Sequence, residues 1–224
     1  MATASAHGEH SGNARPYHHG QLAEALLEAA VARAREGGPT AIGLREVTRD
    51  VGVTPRAAYR HYGDREALVR AVARVALAGI RDEMQRRVDL VPLAGAGREA
   101  EALAAARRLQ AVGDGYVAAA LAEPGLFATA LFGLDDLAET RCAEGEPATP
   151  YEQLLGAIEE LVRTGCVRPE EADVVAATCW STVHGFATLA TQGPLRELPP
   201  QAAAGLGRSV VAQVTRALTG VDPA

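Results

Sequence analysis

The stretch from residue 44 to residue 68, LREVTRDVGVTPRAAYRHYGDREAL, constrains the fold of this chain more than any other part of it. Mostly apolar residues recur there at the spacing of an α-helix: Leu44, Val47, Thr48 and Val51. This spacing predicts a first helix with one face directed into a core. Gly52 is suited to end that helix, because glycine adopts the left-handed backbone of a helix end at low cost.

A second, shorter helix is expected from Pro55 to about His61. Thr54 is placed to cap its start, and a proline suits the first helical position because its missing N–H would have no helical partner there. Gly63 then interrupts the chain, and Asp64 is placed to cap a third helix. Two short helices joined by a turn that contains glycine are typical of a helix-turn-helix.

The outward face of the second helix is crowded with long side chains: Arg56, Tyr59, Arg60 and His61. One interpretation is an ordinary helical hairpin that packs in a core. That role does not require so many polar groups on two helical turns. A recognition helix does, because donors and an aromatic edge can contact the bases and phosphates of a major groove.

Residues 44–72 strongly resemble the DNA-binding motif of the TetR-type bacterial transcriptional regulators. That motif has Gly-Val at its turn, a tyrosine in the recognition helix, an aromatic residue three positions later and a basic residue at the head of the next helix. The matching positions here are Gly52-Val53, Tyr59, Tyr62 and Arg65. The sequence departs from the family pattern at Thr48, where alanine is usual, and at Arg65, where lysine is usual. The resemblance covers roughly the first third of the chain.

The resemblance and the polar face together give a set of candidate DNA contacts: Arg45, Thr54, Pro55, Arg56, Tyr59, Arg60, His61 and Arg65. Tyr59 and Arg65 are expected to hold phosphates. Arg56 and Arg45 are expected to reach base edges.

The distribution of charge along the chain agrees with DNA binding by its N-terminal part. The chain carries a formal net charge of -6, which is unfavourable for a protein that binds DNA. Residues 1–88, however, hold 13 arginines against 10 acidic residues, and the remainder holds 9 against 18. The basic part therefore coincides with the helix-turn-helix, and an acidic remainder would be repelled by DNA.

Beyond residue 88 the pattern stays helical, with no alternating strand signal. We expect an all-α protein of about nine helices, as the family resemblance also implies. The predicted divisions are a disordered arm at 1–16, a helix-turn-helix domain with its connecting helix at 17–88, and a ligand-binding and dimerisation domain at 89–224. As in the family, the last two helices, at about 169–191 and 200–218, are expected to form a homodimer interface.

The most specific C-terminal stretch is CWSTVHGFATLA, in which Trp180 and His184 lie one helical turn apart and Gly185 follows. This Trp-x-x-x-His-Gly pattern resembles the signature of one class of TetR-type C-terminal domains, and residues 123–133 match a second feature of that class. Trp180 is interpreted mainly as a structural anchor, and His184 either as a core group or as a polar contact. The predicted ligand pocket is lined by Tyr116, Phe127, Leu131, Leu155, Trp180 and His184.

Other classes of function receive less support. The sequence has no Gly-rich phosphate loop, Gly-x-Ser-x-Gly elbow or HExxH motif, so we expect neither an enzyme nor a bound cofactor. The histidines near the start lack ligand partners at metal spacing, so no metal site is expected: His7, His10, His18 and His19. A ligand-independent architectural DNA-binding protein and a protein-interaction module with a vestigial helix-turn-helix remain as alternatives.

The sequence thus predicts a transcriptional regulator, in the first instance a repressor, that binds a palindromic DNA operator as a homodimer. A small, largely hydrophobic effector is expected to release it. No apolar run is long enough to span a bilayer, so no membrane partner is expected. The three cysteines are few, odd in number and without metal spacing, which favours a protein of the reducing cytoplasm.

Overall fold

The computed structural model describes residues 19–132 and 148–223, and within these ranges the chain is all-α, as predicted. The α-helices are α1 (His19–Gly37), α2 (Leu44–Val51), α3 (Pro55–Ala58), α4 (Arg65–Asp89), α5 (Arg98–Ala122), α6 (Pro124–Phe132), α7 (Pro150–Thr164), α8 (Ala172–Thr191) and α9 (Pro200–Thr219). Short 3-10 segments lie at Gly38–Ala41, Pro169–Glu171 and Pro194–Glu197. The expected arm at 1–16 lies outside the described residues.

The helix-turn-helix forms where the local signals place it. Leu44, Val47 and Thr48 of α2 are buried, and Gly52 ends that helix in the left-handed conformation with φ 75°. Asp64 caps α4, since its carboxylate accepts from Ala67 N–H at 2.6 Å. Thr54 occupies the N-cap position of α3, but its side chain makes no capping hydrogen bond, so its exposed hydroxyl stays free.

Side-chain contacts fasten the small N-terminal helices together. The Arg33 guanidinium of α1 pairs with Asp50 of α2 through two hydrogen bonds of 2.5 and 2.9 Å. The Tyr62 hydroxyl donates to the carbonyl of Ala23 at 3.2 Å. These bonds join α1 both to α2 and to the segment that follows α3, and so they fix the position of the helix-turn-helix relative to α1.

The C-terminal helices are arranged around α5, which contacts α4, α6, α7, α8 and α9. Two glycines on α5 allow close approach of neighbouring helices. A Cβ at Gly115 would lie 2.5 Å from Met84 Cα, and one at Gly113 would lie 2.8 Å from a methyl group of Val211. The helices α4 and α9 therefore pack more tightly on α5 than any larger residue would permit.

The structure corrects several details of the helix pattern. The α-helical part of the recognition segment ends at Ala58, and hydrogen-bonded turns continue it to residue 62. The spacing of Phe127, Leu131 and Leu134 predicts a helix from Leu126 to about Thr140. The helix begins earlier, at Pro124, because proline is accepted in a first turn. The helix expected from Pro169 begins with a 3-10 turn and becomes α-helical at Ala172. The predicted continuation of α6 towards residue 140 lies outside the described residues.

Helical spacing in the sequence predicts an apolar face on α4 and another on α9: Leu68, Val72, Val75 and Gly79, and Leu206, Val210, Val214 and Leu218. The buried faces of both helices differ from these predictions. On α4, Leu68 and Val72 are buried as expected, whereas Val75 is 38% exposed. On α9, the stripe expected to be buried lies beside the buried face, with Leu206 42% exposed. Small residues face the core because α9 lies close against α5 and α8. The buried face of α9 consists of Ala203, Gly207, Val211, Thr215 and Thr219.

No helix in the described part of the chain is long and apolar enough to cross a membrane.

Candidate functional site

The predicted recognition face is exposed and basic. Arg45, Arg56 and Arg60 are exposed, and none of them forms an ion pair with another described residue. Arg49 shares both properties, although the sequence analysis did not single it out. Exposed, unpaired guanidinium groups on α2, on α3 and in the turns that follow α3 are suited to bind phosphates.

The remaining candidates differ in how freely they could reach DNA. Tyr59 is 54% exposed, which is high for a large aromatic side chain. Thr54 and Pro55 are exposed at the start of α3. His61 is half-buried and already interacts with other groups of the protein. The face thus presents one aromatic hydroxyl, one free alcohol and several cations.

Arg65 is held differently from the other arginines. Its Nε donates to the carbonyl of Ile42 at 2.7 Å, and its Nη2 donates to the carbonyl of Pro39 at 2.5 Å. These bonds attach the head of α4 to the connection between α1 and α2. Arg65 therefore has a structural role that the sequence analysis did not foresee. Both N–H groups of Nη1 and the second N–H of Nη2 are left for any phosphate.

In the C-terminal part, aromatic rings from four helices meet around Tyr116 of α5. Its ring centroid lies 5.8 Å from that of Phe127 and 5.7 Å from that of Trp180. The Trp180 ring stacks on His184 at 6.2 Å and meets Tyr151 edge-on at 5.2 Å. Such centroid distances are those of favourable aromatic pairs. Tyr151 was missed by the sequence analysis, because no local pattern relates the start of α7 to α8.

The polar groups of this cluster are bonded to each other. The Tyr116 hydroxyl lies 3.0 Å from His184 Nδ1, and Thr188 Oγ1 lies 3.4 Å from His184 Nε2. With the ring proton on Nε2, Tyr116 donates to Nδ1 and the imidazole donates to Thr188. Burial raises the pKa of the Tyr116 hydroxyl and lowers the pKa of His184. Both shifts keep the pair neutral.

Two narrow apolar cavities adjoin this cluster, and both are bordered by Tyr116, Pro150 and Trp180. The larger one contains about 370 Å³ of unfilled space, its open mouth included, but it is wide enough for only about one water molecule. The second contains about 340 Å³. A drug-sized ligand needs a pocket of roughly 300–1,000 Å³ that its own atoms can occupy, so the cavities are too narrow for one in this conformation.

The predicted pocket residues are only partly brought together. Leu131 borders the second cavity, and Phe127 packs behind Tyr116 and His184 in the core. Leu155 lies in a separate groove with Ile158, Val162 and Pro169. Additional residues that border the larger cavity were not predicted: Met84, Leu109, Val112, Gly113, Pro150, Leu154, Cys179, Val183, Val211, Val214 and Thr215. They come from five helices, so no sequence spacing could identify them. Among them, burial raises the pKa of the Cys179 thiol to about 11.

Helix α6 connects the aromatic cluster to α1 and thus to the N-terminal helices. Phe127 of α6 is 1% exposed, and its ring lies 5.8 Å from that of His184. Two residues earlier, Gly125 packs on α1 so closely that a Cβ there would lie 2.6 Å from the Arg35 carbonyl oxygen. The Arg35 guanidinium also pairs with Glu123 at 3.1 Å. Both the cluster and α1 therefore contact this one short helix.

Two protein-family models match the sequence. The model for "Bacterial regulatory proteins, tetR family" matches residues 26–72, and that for "Tetracyclin repressor-like, C-terminal domain" matches residues 109–214. Together they cover about two thirds of the chain, including the recognition helix and the aromatic cluster. No protein with a curated description matches the sequence.

Solved structures of similar fold cover nearly the whole chain. A protein with unknown function from Rhodococcus sp. RHA1 is 27% identical, with a TM-score of 0.58 over 92% of this chain and 99% of that one. The TetR-family transcriptional regulator PfmR from Thermus thermophilus is 16% identical, with a TM-score of 0.53 over 85% and 97%. A TetR variant from Acinetobacter baumannii AYE in complex with minocycline is 15% identical, with a TM-score of 0.52 over 89% and 97%.

Proposed function

Because the chain belongs to the TetR family of bacterial transcriptional regulators, we propose that it is a repressor that binds a palindromic operator as a homodimer and is released by a small apolar effector. The observation that carries the DNA-binding part is the exposed, unpaired set Arg45, Arg56 and Arg60 beside Tyr59. Tyr59 and the free Nη1 of Arg65 are assigned to phosphates. Arg56 and Arg45 are assigned to base edges, and Thr54, Pro55, Arg60 and His61 complete the contact surface.

A homodimer is proposed because one short recognition helix contacts too few base pairs for useful specificity. The outer faces of α8 and α9 support this assembly. Three charged residues are exposed on these two helices, Asp173, Arg208 and Arg216, but most of the other exposed or partly exposed positions are small or apolar: Val174, Ala177, Ser181, Leu189, Ala202, Gly205, Leu206 and Ser209. Val174 is 67% exposed in the single chain, so a partner that covered it would remove apolar surface from water.

The effector is assigned to the two cavities that share Tyr116 and Trp180. Both are apolar, and Tyr116 and Trp180 stand between them. A ligand that displaces these rings would join the cavities into one space of suitable size. We assign this domain to the subgroup with the Trp-x-x-x-His-Gly signature. The Tyr116–His184 pair is the polar contact that the two cavities offer to an effector. No phosphorylated effector is expected, since basic side chains do not border these two cavities.

Release from DNA is proposed to pass through α6. A ligand between Tyr116 and Trp180 changes the packing of Phe127, which lies against Tyr116, and so displaces α6 relative to α1. Since α1 is fastened to α2 and to Tyr62, a movement of α6 would alter the spacing of the two recognition helices in the dimer. An effector that prefers the altered spacing shifts the population towards it and lowers operator affinity.

The function is tested by selection of binding sites from a random duplex library with the purified protein. The expected result is an enriched palindrome whose half-sites are about one helical turn apart or a multiple of that spacing. Arg56→Ala should lose the enriched sequence, whereas Arg196→Ala, which removes an exposed arginine far from α3 in sequence, should retain it. Enrichment without a preferred sequence would instead support an architectural DNA-binding protein.

The dimer is tested by sedimentation of Leu206→Asp. This residue is exposed in the single chain, so the change should leave the fold intact while it places an unpaired carboxylate in the proposed interface. Val214 is a less suitable position because it borders the cavity. Leu93→Asp is the matched control, since Leu93 is 91% exposed in the connection between α4 and α5. A Leu206→Asp protein that sediments as a dimer would exclude this interface.

A further inference from the structure

One polar group that borders the larger apolar cavity, the hydroxyl of Thr215 on α9, has no hydrogen-bond partner among the described residues. Thr215 is 1% exposed, so bulk solvent does not supply a partner either. Its backbone carbonyl, by contrast, accepts from the Thr219 hydroxyl at 2.8 Å. A buried hydroxyl without a partner is uncommon in proteins, because it has lost its hydrogen bonds to water without compensation.

The other threonines of α8 and α9 show that this is not a general property of threonine in these helices. Thr178, Thr182, Thr191 and Thr219 each donate to the carbonyl four residues earlier, at 2.7–2.8 Å. Thr188 lies against His184 instead. Thr215 makes neither kind of contact, and it is the threonine of these two helices that borders the larger cavity. Its hydroxyl is therefore available to a group that enters that cavity.

The rest of the cavity wall restricts the chemistry of such a group. None of the described side chains that border the larger cavity is charged, and besides Thr215 only Tyr116, Cys179 and Trp180 carry an O–H, S–H or N–H group. Burial raises the pKa of the Cys179 thiol to about 11, which keeps it neutral near pH 7. An ion in this space would lose its hydration without gaining an opposite charge, so the cavity disfavours ammonium groups and carboxylates.

We propose that Thr215 is an effector-binding residue and that the effector is an uncharged aliphatic molecule with an oxygen atom, as in an alcohol, a ketone or an ester; this rests on the proposed release by an apolar effector. The Thr215 hydroxyl donates to that oxygen and gives the effector a second polar contact besides the Tyr116–His184 pair. The aliphatic chain lies along Val183 and Val211, where the narrow cavity accepts a chain with less displacement of its walls than a ring. A hydrocarbon would leave the hydroxyl unpaired.

The proposal is tested by titration of the full-length protein with 1-hexanol, n-hexane and hexanoate in the absence of DNA. Trp180 is the only tryptophan of the chain and borders the cavity, so its fluorescence reports occupancy. At millimolar concentration 1-hexanol should change the emission to a saturating value, and hexanoate should bind at least about tenfold more weakly because of its charge. Because no DNA is present, the result is independent of operator binding.

Two variants locate the hydrogen bond. Thr215→Val keeps the shape of the side chain, and it should weaken 1-hexanol binding about fivefold without weakening n-hexane binding. Its melting temperature should not fall, since no hydrogen bond within the protein is lost. Thr219→Val is the matched control, because the Thr219 hydroxyl is bonded to the carbonyls of Thr215 and Val221. That variant should melt earlier and bind 1-hexanol as the wild type does.

The possible failures are distinguishable. Equal binding of 1-hexanol by wild type and Thr215→Val, or equal weakening of 1-hexanol and n-hexane, would overturn the role of Thr215 and leave the apolar effector site in place. Hexanoate that binds as tightly as 1-hexanol would overturn the uncharged class of effector. No response of Trp180 to 1-hexanol or n-hexane would overturn the proposal together with the assignment of the effector to this cavity, whereas the selection of operator sites would be unaffected.

Discussion

The recognition face and the aromatic cluster arrange their polar groups in opposite ways. On the recognition face, Arg45 and Arg56 are exposed to solvent without an ion-pair partner among the described residues. In the aromatic cluster, Tyr116 and His184 are directed inward and bonded to each other. A surface that binds a charged polymer must leave its donors free, whereas an apolar pocket must satisfy its polar groups internally. Free donors therefore mark the first kind of site, and unfilled apolar space marks the second.

This difference predicts that substitutions separate into two classes. Changes on the recognition face should affect DNA affinity with little effect on folding, since exposed side chains there contribute few packing contacts. Changes in the aromatic cluster should affect folding first, because its rings are part of the core.

The largest effect is expected for Phe127→Ala. Phe127 is 1% exposed and packs against Tyr116 and His184, so its removal should lower the free energy of unfolding by about 3–5 kcal/mol. Chemical denaturation measures this loss, with Leu93→Ala as the exposed control. A loss below about 1 kcal/mol would mean that the cluster is loosely packed and that the contrast between the two regions is overstated.

Arg65→Ala should belong to both classes, because it should lower both the stability of the protein and its affinity for DNA. Two hydrogen bonds from its guanidinium to the carbonyls of Pro39 and Ile42 would be lost, which should cost about 1.5–3 kcal/mol of stability. Binding to all DNA sequences should weaken alike, with a shallower dependence on salt, if Nη1 also holds a phosphate. Denaturation and binding at several salt concentrations measure the two effects. Full stability would contradict the structural role.

Arg56→Ala should behave as a pure recognition change. Its side chain is exposed and unpaired, so melting should be unchanged, while affinity for the selected operator should fall by about 1–3 kcal/mol at particular base pairs. Binding assays with single base-pair changes in the operator measure this pattern. If specific and non-specific binding fall in the same ratio, Arg56 contacts phosphate and the assigned roles of Arg56 and Tyr59 must be exchanged.

The smallest effect is expected from the titration of His184. Burial lowers its pKa in the folded protein, so only the unfolded chain takes up this proton as the pH falls through the ordinary histidine value of about 6.5. Stability from this group is therefore present above that pH and is lost as the pH falls towards the folded pKa. His184→Gln should flatten the pH dependence of the unfolding free energy in this range. Identical slopes for wild type and variant would contradict a buried neutral imidazole.

Local signals were sufficient for much of the DNA-binding region. Gly52, Pro55 and Asp64 determine where helices end and begin through backbone geometry that involves only neighbouring residues, and all three act as predicted. The role of Arg65 was not predictable in this way. Its partners, Pro39 and Ile42, are more than 20 residues earlier in the sequence, and only the folded domain brings their carbonyls within reach.

The sequence by itself determined the helices, the helix-turn-helix and the basic character of the N-terminal part, because helical periodicity, capping and charge composition are properties of short segments. Only the tertiary structure decided which side chains share a cavity. Tyr116, Tyr151 and Trp180 meet across α5, α7 and α8, while Leu155, predicted with them, lies in another groove. Periodicity defines the apolar side of each helix, but the rotation and separation of packed helices depend on contacts between distant residues, such as that of Gly115 with Met84.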